Sequence, residues 1–386
     1  MAAFPIYFDY HATTPCDPRV VEYMLPYFTE LFGNASSRHH PFGWQAEEAV
    51  TVAREQVAAL IGADPAELIF TSGATESITL ALRGVLEAYS RKGNHIITIE
   101  TEHKAVLDCC RQLEKSGTRI SYIPVDPLGH PDLNKLEAAI TPETLMIAAM
   151  YANNETGVIF PVQQISALAR KYGVLFFCDA TQAVGKIPVH VQEDGIDLLA
   201  LSAHKFYGPK GVGALYLRRR DPRVTIIPQL TGGGQEKGLR GGTLNVSGIA
   251  GMGKAASIIM DDGYGTEGLT SLRNRLEQGL LNQQQVYING DSSNRLPTVS
   301  NLWFEGIQPK SLLQGITRKI AVSSGSACTS ALPKPSHVLK AMGLSDDAAD
   351  SSIRFSIGRF STTEEVDTAL QEIIPLLQEL RKSFQV

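Results

Sequence analysis

Residues 197–217 read DLLALSAHKFYGPKGVGALYL, and this stretch decides the fold class. Two short apolar runs, 197–202 and 213–217, flank a turn that is rich in glycine, proline and polar side chains. Apolar runs of this length that end in turn residues are typical of buried β-strands. Ligands of parallel α/β sheets bind at the carboxyl ends of the strands, so the turn after the first run is a candidate site.

Similar apolar runs occur earlier in the chain, at 68–71, 95–99, 145–151 and 174–178. Amphipathic helical patterns lie before and between these runs, at 44–61, 77–90, 105–115 and 162–171. This alternation predicts an α/β fold with a large, mostly parallel mixed sheet that is covered by helices.

The pattern changes in the last third of the chain. A glycine-rich segment, 231–243, and a predicted helix, 246–260, are followed by long polar helices and by strands near 286–288, 298–303 and 353–357. The glycines and aspartates of 261–268 suit a linker. We predict a large domain of residues 16–262 and a smaller α+β domain of residues 1–15 plus 263–386, which agrees with the usual domain size.

Composition excludes several classes of protein. The chain has 35 Lys and Arg against 40 Asp and Glu, a net charge of −5, which argues against nucleic acid or a membrane surface as partner. Its five cysteines do not suit a disulfide framework and indicate a reducing compartment. The N-terminus does not resemble a signal or transit peptide, and no apolar run approaches about 18 residues. We therefore expect a cytoplasmic protein.

Polar side chains follow each predicted strand of the large domain, at the edge where ligands bind. They are Ser72, Ala74 and Thr75 after the first run, His103 after the second, Asn153, Asn154 and Glu155 after the third, Asp179 and Gln182 after the fourth, and Ser202, His204 and Lys205 after the fifth. The TSGATES turn at 71–77 opens a helix whose free N–H groups would attract a phosphate, although alone it also fits an ordinary helix cap.

Lys205 and Asp179 are the two charged residues that need an explanation. Lys205 directly follows an apolar strand, where an amine that is partly removed from water can lose its proton and act as a nucleophile; the alternative is a surface lysine. Asp179 ends the run VLFFC and would be costly to bury without a cationic partner. A lysine for a Schiff base, an aspartate for a ring nitrogen and a helix N-terminus for a phosphate together describe a pyridoxal 5′-phosphate site.

The motifs occur in the order seen in one family. They are DYHATTP, TSGATES, TEHKAV, NNETG, DATQAVGK, SAHKFYGPKGVGALY, GGGQEKGLRGGT, SSGSACTS and SIRFSIGRF. With these motifs the chain resembles the cysteine desulfurases of the NifS/IscS type. The resemblance implies an aspartate-aminotransferase-like fold, known as pyridoxal-phosphate fold type I.

The resemblance also implies roles for individual residues. Lys205 would form the covalent link to the cofactor, Asp179 would pair with the ring nitrogen, Gln182 would bind the phenolate oxygen, and His103 would stack on the ring and manage protons. The remaining implied contacts are Ala74, Thr75, Ser202 and His204 on the phosphate, Thr243 on the phosphate from the second subunit of a homodimer, and Asn34, Asn154 and Arg354 at the substrate carboxylate.

Cys328 is the implied sulfur-accepting nucleophile. It lies in a segment of small residues and prolines, about 322–333, that suits an exposed loop. The resemblance implies conversion of L-cysteine to L-alanine with formation of a persulfide on Cys328, and transfer of that sulfur to an iron–sulfur scaffold protein or to other acceptors. No stable metal site is expected, and Cys328 is the one candidate for transient ligation of a cluster. His11 stands where the family usually has Asn or Ser.

Three other functions stay open at this point. A pyridoxal-phosphate lyase acting on cysteine, cystine or selenocysteine shares the same chemistry at Cα, and dependence on Cys328 distinguishes it. A docking platform for sulfur acceptors would bind cofactor without turnover. Residues 248–255 nearly match the phosphate loop of nucleotide hydrolases, but Ala255 replaces the magnesium-binding hydroxyl, so helix packing explains them better.

Overall fold

A computed structural model describes residues 5–324 and 335–382. The strands of this part of the chain are β1 (Ile6–Tyr7), β2 (Leu68–Thr71), β3 (His95–Ile99), β4 (Arg119–Ile123), β5 (Thr144–Met150), β6 (Leu175–Asp179), β7 (Leu198–Ser202), β8 (Gly213–Leu217), β9 (Val286–Ile288), β10 (Val299–Phe304), β11 (Ile320–Ala321), β12 (Ser323–Ser324) and β13 (Ser352–Ser356).

The α-helices surround these strands and account for most of the remaining regular structure. They are α1 (Pro18–Met24), α2 (Pro26–Thr29), α3 (Pro41–Leu60), α4 (Ala74–Ala88), α5 (Lys104–Lys115), α6 (Leu133–Ala139), α7 (Val162–Tyr172), α8 (Val246–Asp262), α9 (Thr266–Leu281), α10 (Pro309–Ile316), α11 (His337–Ala341), α12 (Asp346–Asp350) and α13 (Thr363–Lys382). None of these helices combines the length and the apolar character needed to cross a lipid bilayer.

The large sheet has seven strands in the order β2-β8-β7-β6-β5-β3-β4. In this sheet β8 pairs antiparallel with both β2 and β7, and the other four strand pairs are parallel, so the predicted mostly parallel mixed sheet is confirmed. The prediction missed β4, because its sequence RISYI alternates polar and apolar residues and begins with an exposed arginine. An edge strand that is half open to solvent lacks the continuous apolar run by which the inner strands are recognised.

Both faces of the large sheet are buried. Within β6, Phe176 belongs to the core beneath α3 and α8, whereas Phe177 belongs to the core beneath α4 and α5. The side chains of β7 divide in the same way between the two cores. Because both faces are covered, apolar residues occupy successive positions and polar residues are displaced to the strand ends.

The C-terminal part of the chain builds a second core on a smaller sheet. This antiparallel sheet has the order β12-β13-β10-β9, and helices α9, α10 and α13 pack around it. The N-terminal segment joins this unit, since Phe8 lies in its core and β1 pairs in parallel with β11. The domain bounds given above stay a prediction.

Candidate active site

A cavity of about 600 Å³ opens where the strands of the large sheet end and the smaller sheet approaches. Most of the predicted site residues line it, namely Ala74, Thr75, His103, Asn154, Asp179, Gln182, Ser202, His204, Lys205 and Arg354. Asn34 and Thr243 are exposed and lie outside this lining. Cys328 lies outside the described residues. The carboxyl-end rule therefore located a common cavity for side chains that are far apart in the sequence.

The floor of the cavity includes the start of helix α4. The helix begins at Ala74, directly after Gly73, and no side chain caps its N-terminus. Gly73 has a φ of +151°, which a residue with a side chain rarely adopts. A Cβ atom at Gly213 of β8 would lie 2.7 Å from the Gly73 Cα atom, so β8 can approach this turn closely only with glycine at position 213. The backbone N–H groups at this open helix N-terminus therefore suit an anion.

The Lys205 amine points from the large domain toward the N-terminal segment. Its Nζ donates hydrogen bonds to the backbone carbonyls of His11, at 2.5 Å, and Ala12, at 2.8 Å. The segment is held beside Lys205 because the Thr14 N–H and hydroxyl both donate to the His204 carbonyl. Burial, reinforced by the nearby Lys205 charge, lowers the pKa of His204 to about 4, so its imidazole is neutral at neutral pH.

Asp179 ends β6, the strand next to β7, and is 6% exposed. One of its oxygens accepts hydrogen bonds from the backbone N–H and the hydroxyl of Thr181. Among residues 5–324 and 335–382, no ion pair involves Asp179. A buried carboxylate with hydrogen bonds but without a cation suits a cationic ligand group.

Arg354 reaches the cavity from β13 of the smaller sheet. Its Nη2 donates to an Asp9 carboxylate oxygen at 2.7 Å, and its Nη1 donates to the Asn154 carbonyl at 2.9 Å. Its Nε is buried and has no hydrogen-bond partner among the described residues. A guanidinium that is fixed on two sides and keeps a spare donor can bind a substrate carboxylate.

The sequence profile named Aminotransferase class-V matches residues 6–369. Cysteine desulfurase IscS of Anaeromyxobacter dehalogenans is 51% identical over 380 residues, which are 98% of this chain and 94% of that protein. Cysteine desulfurase IscS of Proteus mirabilis is 50% identical with the same coverage. The chain belongs to the class-V aminotransferase family.

Solved structures agree with this membership. A structure titled "NIFS-LIKE PROTEIN" has a TM-score of 0.91 and 38% identity, with 98% of this chain and all of that chain covered. A structure titled "SspA in complex with cysteine" has a TM-score of 0.82 and 35% identity, with 92% and 100% covered. The predicted fold class and the prediction of a pyridoxal-phosphate-dependent cysteine desulfurase are confirmed.

The cavity of this class-V aminotransferase has the donors and acceptors that pyridoxal phosphate requires. The uncapped N-terminus of α4 suits the phosphate, and Ser202 and His204 lie at the same cavity. Asp179, which has no cationic partner in the described part of the chain, suits a protonated ring nitrogen. The Lys205 amine lines the same cavity, where it donates hydrogen bonds to the backbone carbonyls of His11 and Ala12, and an amine at this place suits covalent attachment of the cofactor.

Glu102 is a residue of the site that sequence reasoning missed. It is fully buried beside His103, and its Oε1 accepts the Met150 N–H at 2.6 Å, whereas its Oε2 has no hydrogen-bond partner within the described chain. Met150 stands opposite Asp179 in the sheet register. Burial, and then the Asp179 charge, raise the pKa of Glu102 well above its usual value. Both causes favour the neutral carboxylic acid form of Glu102.

Two further contacts link the cavity wall to the segment that follows residue 334. The Ser336 hydroxyl donates to the buried carboxyl of Glu155 at 2.5 Å, and the His337 Nε2 lies 2.9 Å from the Glu102 carbonyl. Burial of Glu155 raises the pKa of its carboxyl. NNETG marked Glu155 as a residue at a strand end, but nothing in the sequence pairs it with Ser336, 181 positions later.

The four described cysteines do not line the cavity. Cys109, Cys110 and Cys178 are buried in the cores of the large domain, and burial raises the pKa of each thiol. Cys16 is half-buried, and burial raises its thiol pKa as well. A thiol with a raised pKa is a poor nucleophile, which agrees with the structural roles predicted for the three buried cysteines.

The protonation of Glu102 has a measurable consequence for stability. Above its usual pKa of 4.5 the unfolded chain holds Glu102 ionised, whereas the fold keeps it protonated, so the folded state binds the extra proton. Stability is therefore lost as pH rises from that value toward the folded pKa. We predict that Glu102→Gln removes this loss, so that its stability relative to the parent protein rises with pH by up to about 1.4 kcal/mol per pH unit.

Thermal unfolding at several pH values between about 5 and about 8 measures this difference. Glu267→Gln, at an exposed position near the start of α9, is the matched control and leaves the pH dependence as it is. A stability difference between Glu102→Gln and the parent protein that does not change with pH would show that Glu102 is ionised in the fold.

Proposed function

We propose that Lys205, Asp179 and Arg354 act together in one cavity to desulfurate L-cysteine, and that Cys328 receives the sulfur as a persulfide. The observation that carries this proposal is their placement. An amine, a buried carboxylate and a guanidinium line the same cavity, although they come from three separate segments, and within the described residues the carboxylate forms no ion pair and the guanidinium Nε has no hydrogen-bond partner. The products are L-alanine and a sulfane sulfur for an acceptor.

The cofactor would be held by contacts that the cavity already offers. Ala74 and Thr75 at the start of α4, with Ser202 and His204, would bind the phosphate, and Asp179 would hold the proton on the ring nitrogen. Gln182 would bind the phenolate oxygen, and His103 would cover the ring. Bound pyridoxal phosphate supplies an acceptor for the electron pair that is released when the Cα proton of the substrate is removed.

The protein groups would orient the substrate and move its protons. Arg354 and Asn154 would fix the substrate carboxylate, which determines the Cα bond that is activated. Lys205 would take the Cα proton on Nζ. Burial lowers the pKa of His103 and the Asp179 charge partly opposes this, so the neutral His103 imidazole is favoured and would be able to accept a proton from the substrate.

Sulfur transfer would depend on Cys328. Its thiolate would attack the substrate sulfur, so that a sulfur–sulfur bond forms as the carbon–sulfur bond of cysteine breaks, and Cβ then gains a proton to complete alanine. The persulfide would pass its outer sulfur to an iron–sulfur scaffold protein or to another thiol acceptor. A cytoplasmic location suits this chemistry, because a reducing compartment keeps Cys328 as a thiol.

Two substitutions test the roles of the amine and the thiol separately. Lys205→Ala is expected to lose the visible absorbance of lysine-bound cofactor together with all alanine formation, because it removes both the amine that binds the cofactor and the base proposed for the Cα proton. Cys328→Ala is expected to keep that absorbance but to form no persulfide, with alanine formation reduced by at least about tenfold. Spectra, alanine assay and mass spectrometry of the protein are the measurements.

Matched variants are Lys171→Ala, which removes an exposed lysine on α7, and Cys16→Ala, which removes a half-buried thiol outside the cavity. Both are expected to behave as the parent protein. Full alanine production by Cys328→Ala with a thiol acceptor present would reject the nucleophile and favour a lyase that releases sulfide. Bound cofactor without any turnover in the parent protein would favour a docking role.

A homodimer is the second part of the proposal. Large apolar side chains are exposed along α1–α3, with Leu25 59%, Phe28 60% and Phe32 63% exposed, and the Phe32 and Phe42 rings lie 5.2 Å apart. Exposed apolar side chains this close together are typical of a protein interface. A second copy on this surface would cover them, and the exposed Thr243 would then be available to the partner's cavity.

We predict that the double variant Phe28→Asp, Phe32→Asp shifts the protein from dimer to monomer, because two buried charges would face an apolar surface. Light scattering after gel filtration measures the mass. Leu128→Asp, at a side chain that is 51% exposed in a loop of the large domain, is the control and stays dimeric. A parent protein of monomer mass, or a double variant that remains a dimer, would contradict the proposal.

A further inference from the structure

His11 belongs to the lining of the cavity, and its side chain is buried, with 1% of the residue exposed. Its ring Nδ1 lies 3.1 Å from the Asn154 carbonyl oxygen, and its Nε2 lies 2.8 Å from the Thr298 hydroxyl. A carbonyl only accepts hydrogen bonds, so Nδ1 carries the proton. In a neutral ring Nε2 then accepts the Thr298 hydroxyl proton. The two contacts fix both the tautomer and the plane of the ring.

The surroundings of His11 keep its ring neutral. Burial, followed by the charges of Lys186, Arg354 and Lys205, lowers the pKa of His11 well below 6.5, whereas the hydrogen bond to Asn154 opposes the shift. Lys186 itself is fully buried, and its Nζ donates to the backbone and side-chain oxygens of Gln182. Protonation of His11 would add a further positive charge to this group of cations.

The Asn154 carbonyl connects His11 with Arg354. This single oxygen accepts both the His11 Nδ1–H and the Arg354 Nη1–H. The other Arg354 amino group is held by Asp9, which leaves the buried Nε as the guanidinium donor without a partner in the described chain. The direction of the carbonyl therefore determines how the guanidinium faces the cavity.

We propose that His11 is a positioning residue for substrate binding, which holds the Asn154 carbonyl in place so that Arg354 keeps the orientation that receives the carboxylate of L-cysteine. This inference rests on the proposed role of Arg354. The residue acts through Asn154 and Arg354 and does not itself take part in the chemistry.

The His11 backbone has separate contacts, which limit what its side chain controls. The carbonyl of His11 accepts hydrogen bonds from Lys205 and Gln182, and its N–H donates to the Ser356 hydroxyl. These main-chain contacts are retained when the side chain is replaced. Replacement of the ring therefore changes the affinity for substrate and leaves the Lys205 amine and the rate of the chemical step nearly unchanged.

Two amide substitutions separate the two ring contacts. The side-chain nitrogen of Asn occupies nearly the place of Nδ1, and that of Gln nearly the place of Nε2. His11→Asn can still donate to the Asn154 carbonyl, whereas His11→Gln can reach only Thr298. We expect His11→Gln to raise the KM for L-cysteine about five- to tenfold, the effect of losing one hydrogen bond, with kcat within about twofold. His11→Asn is expected to keep KM within about twofold.

Three companion measurements make the result decisive. Thermal unfolding of both variants tests a purely structural role, because Asn leaves Thr298 without its partner and is expected to be at least as destabilising as Gln. Equilibrium binding of L-alanine, followed by the cofactor spectrum, measures carboxylate affinity without turnover. His190→Asn, at an exposed histidine outside the cavity, is the control for replacing an imidazole.

Equal KM values for the Asn and Gln variants, or KM values that rise in step with the loss of thermal stability, would overturn the inference. Arg354→Lys distinguishes this failure from failure of the proposed function. A large rise in KM for Arg354→Lys with no effect of His11→Gln rejects the role of His11 alone. No effect of Arg354→Lys on KM or on L-alanine affinity rejects the substrate role of Arg354, and the inference falls with it.

Discussion

The two hydrogen bonds from the Lys205 amine to the carbonyls of His11 and Ala12 are the contacts on which the arrangement of the site depends. They join the large sheet to an N-terminal segment that belongs, through Phe8, to the core of the smaller unit. The same segment carries Asp9, which holds Arg354. The amine and the guanidinium are therefore placed relative to each other by a short turn of the backbone, in which the Ala12 N–H donates to the Asp9 carbonyl.

The charges of the cavity have a simple distribution. Lys205 and Arg354 supply positive charge at its lining, and the N-terminus of α4 adds a partial positive charge. Asp179 supplies negative charge at the same lining, while burial raises the pKa of its neighbour Glu102 and favours the neutral acid. Such a cavity suits a ligand that has a phosphate and a carboxylate at its edges and a cationic nitrogen facing Asp179. Pyridoxal phosphate with an amino acid substrate has these groups.

The sequence predicted the parts of this site that follow from strand ends. Asp179, Ser202 and Lys205 each lie at the end of a continuous apolar run, and the structure brings them to one cavity. Strand β4 was missed because an edge strand lacks such a run. The roles of Lys205 and Asp179 were inferred from their residue types and positions, whereas the remaining roles came from the family resemblance, and all of them stay proposals.

Glu102 and His11 show why other parts of the site could not be predicted from the sequence. The neutrality of Glu102 depends on complete burial next to Asp179, and the two residues are neighbours only through the register of β5 with β6. The ring of His11 meets Asn154 and Thr298, which are 143 and 287 positions away. Contacts over such separations follow from the packing of the two sheets, which no local pattern of residues encodes.

In the proposed reaction the cavity residues activate L-cysteine, and its sulfur is transferred to Cys328. The most direct test is a single turnover of the protein with L-cysteine and no added reductant, in which alanine and protein persulfide are quantified together. We expect equal amounts of alanine and protein persulfide, and we expect peptide mass spectrometry to locate the extra sulfur on Cys328. Alanine accompanied by free sulfide, or a persulfide on a different cysteine, would contradict it.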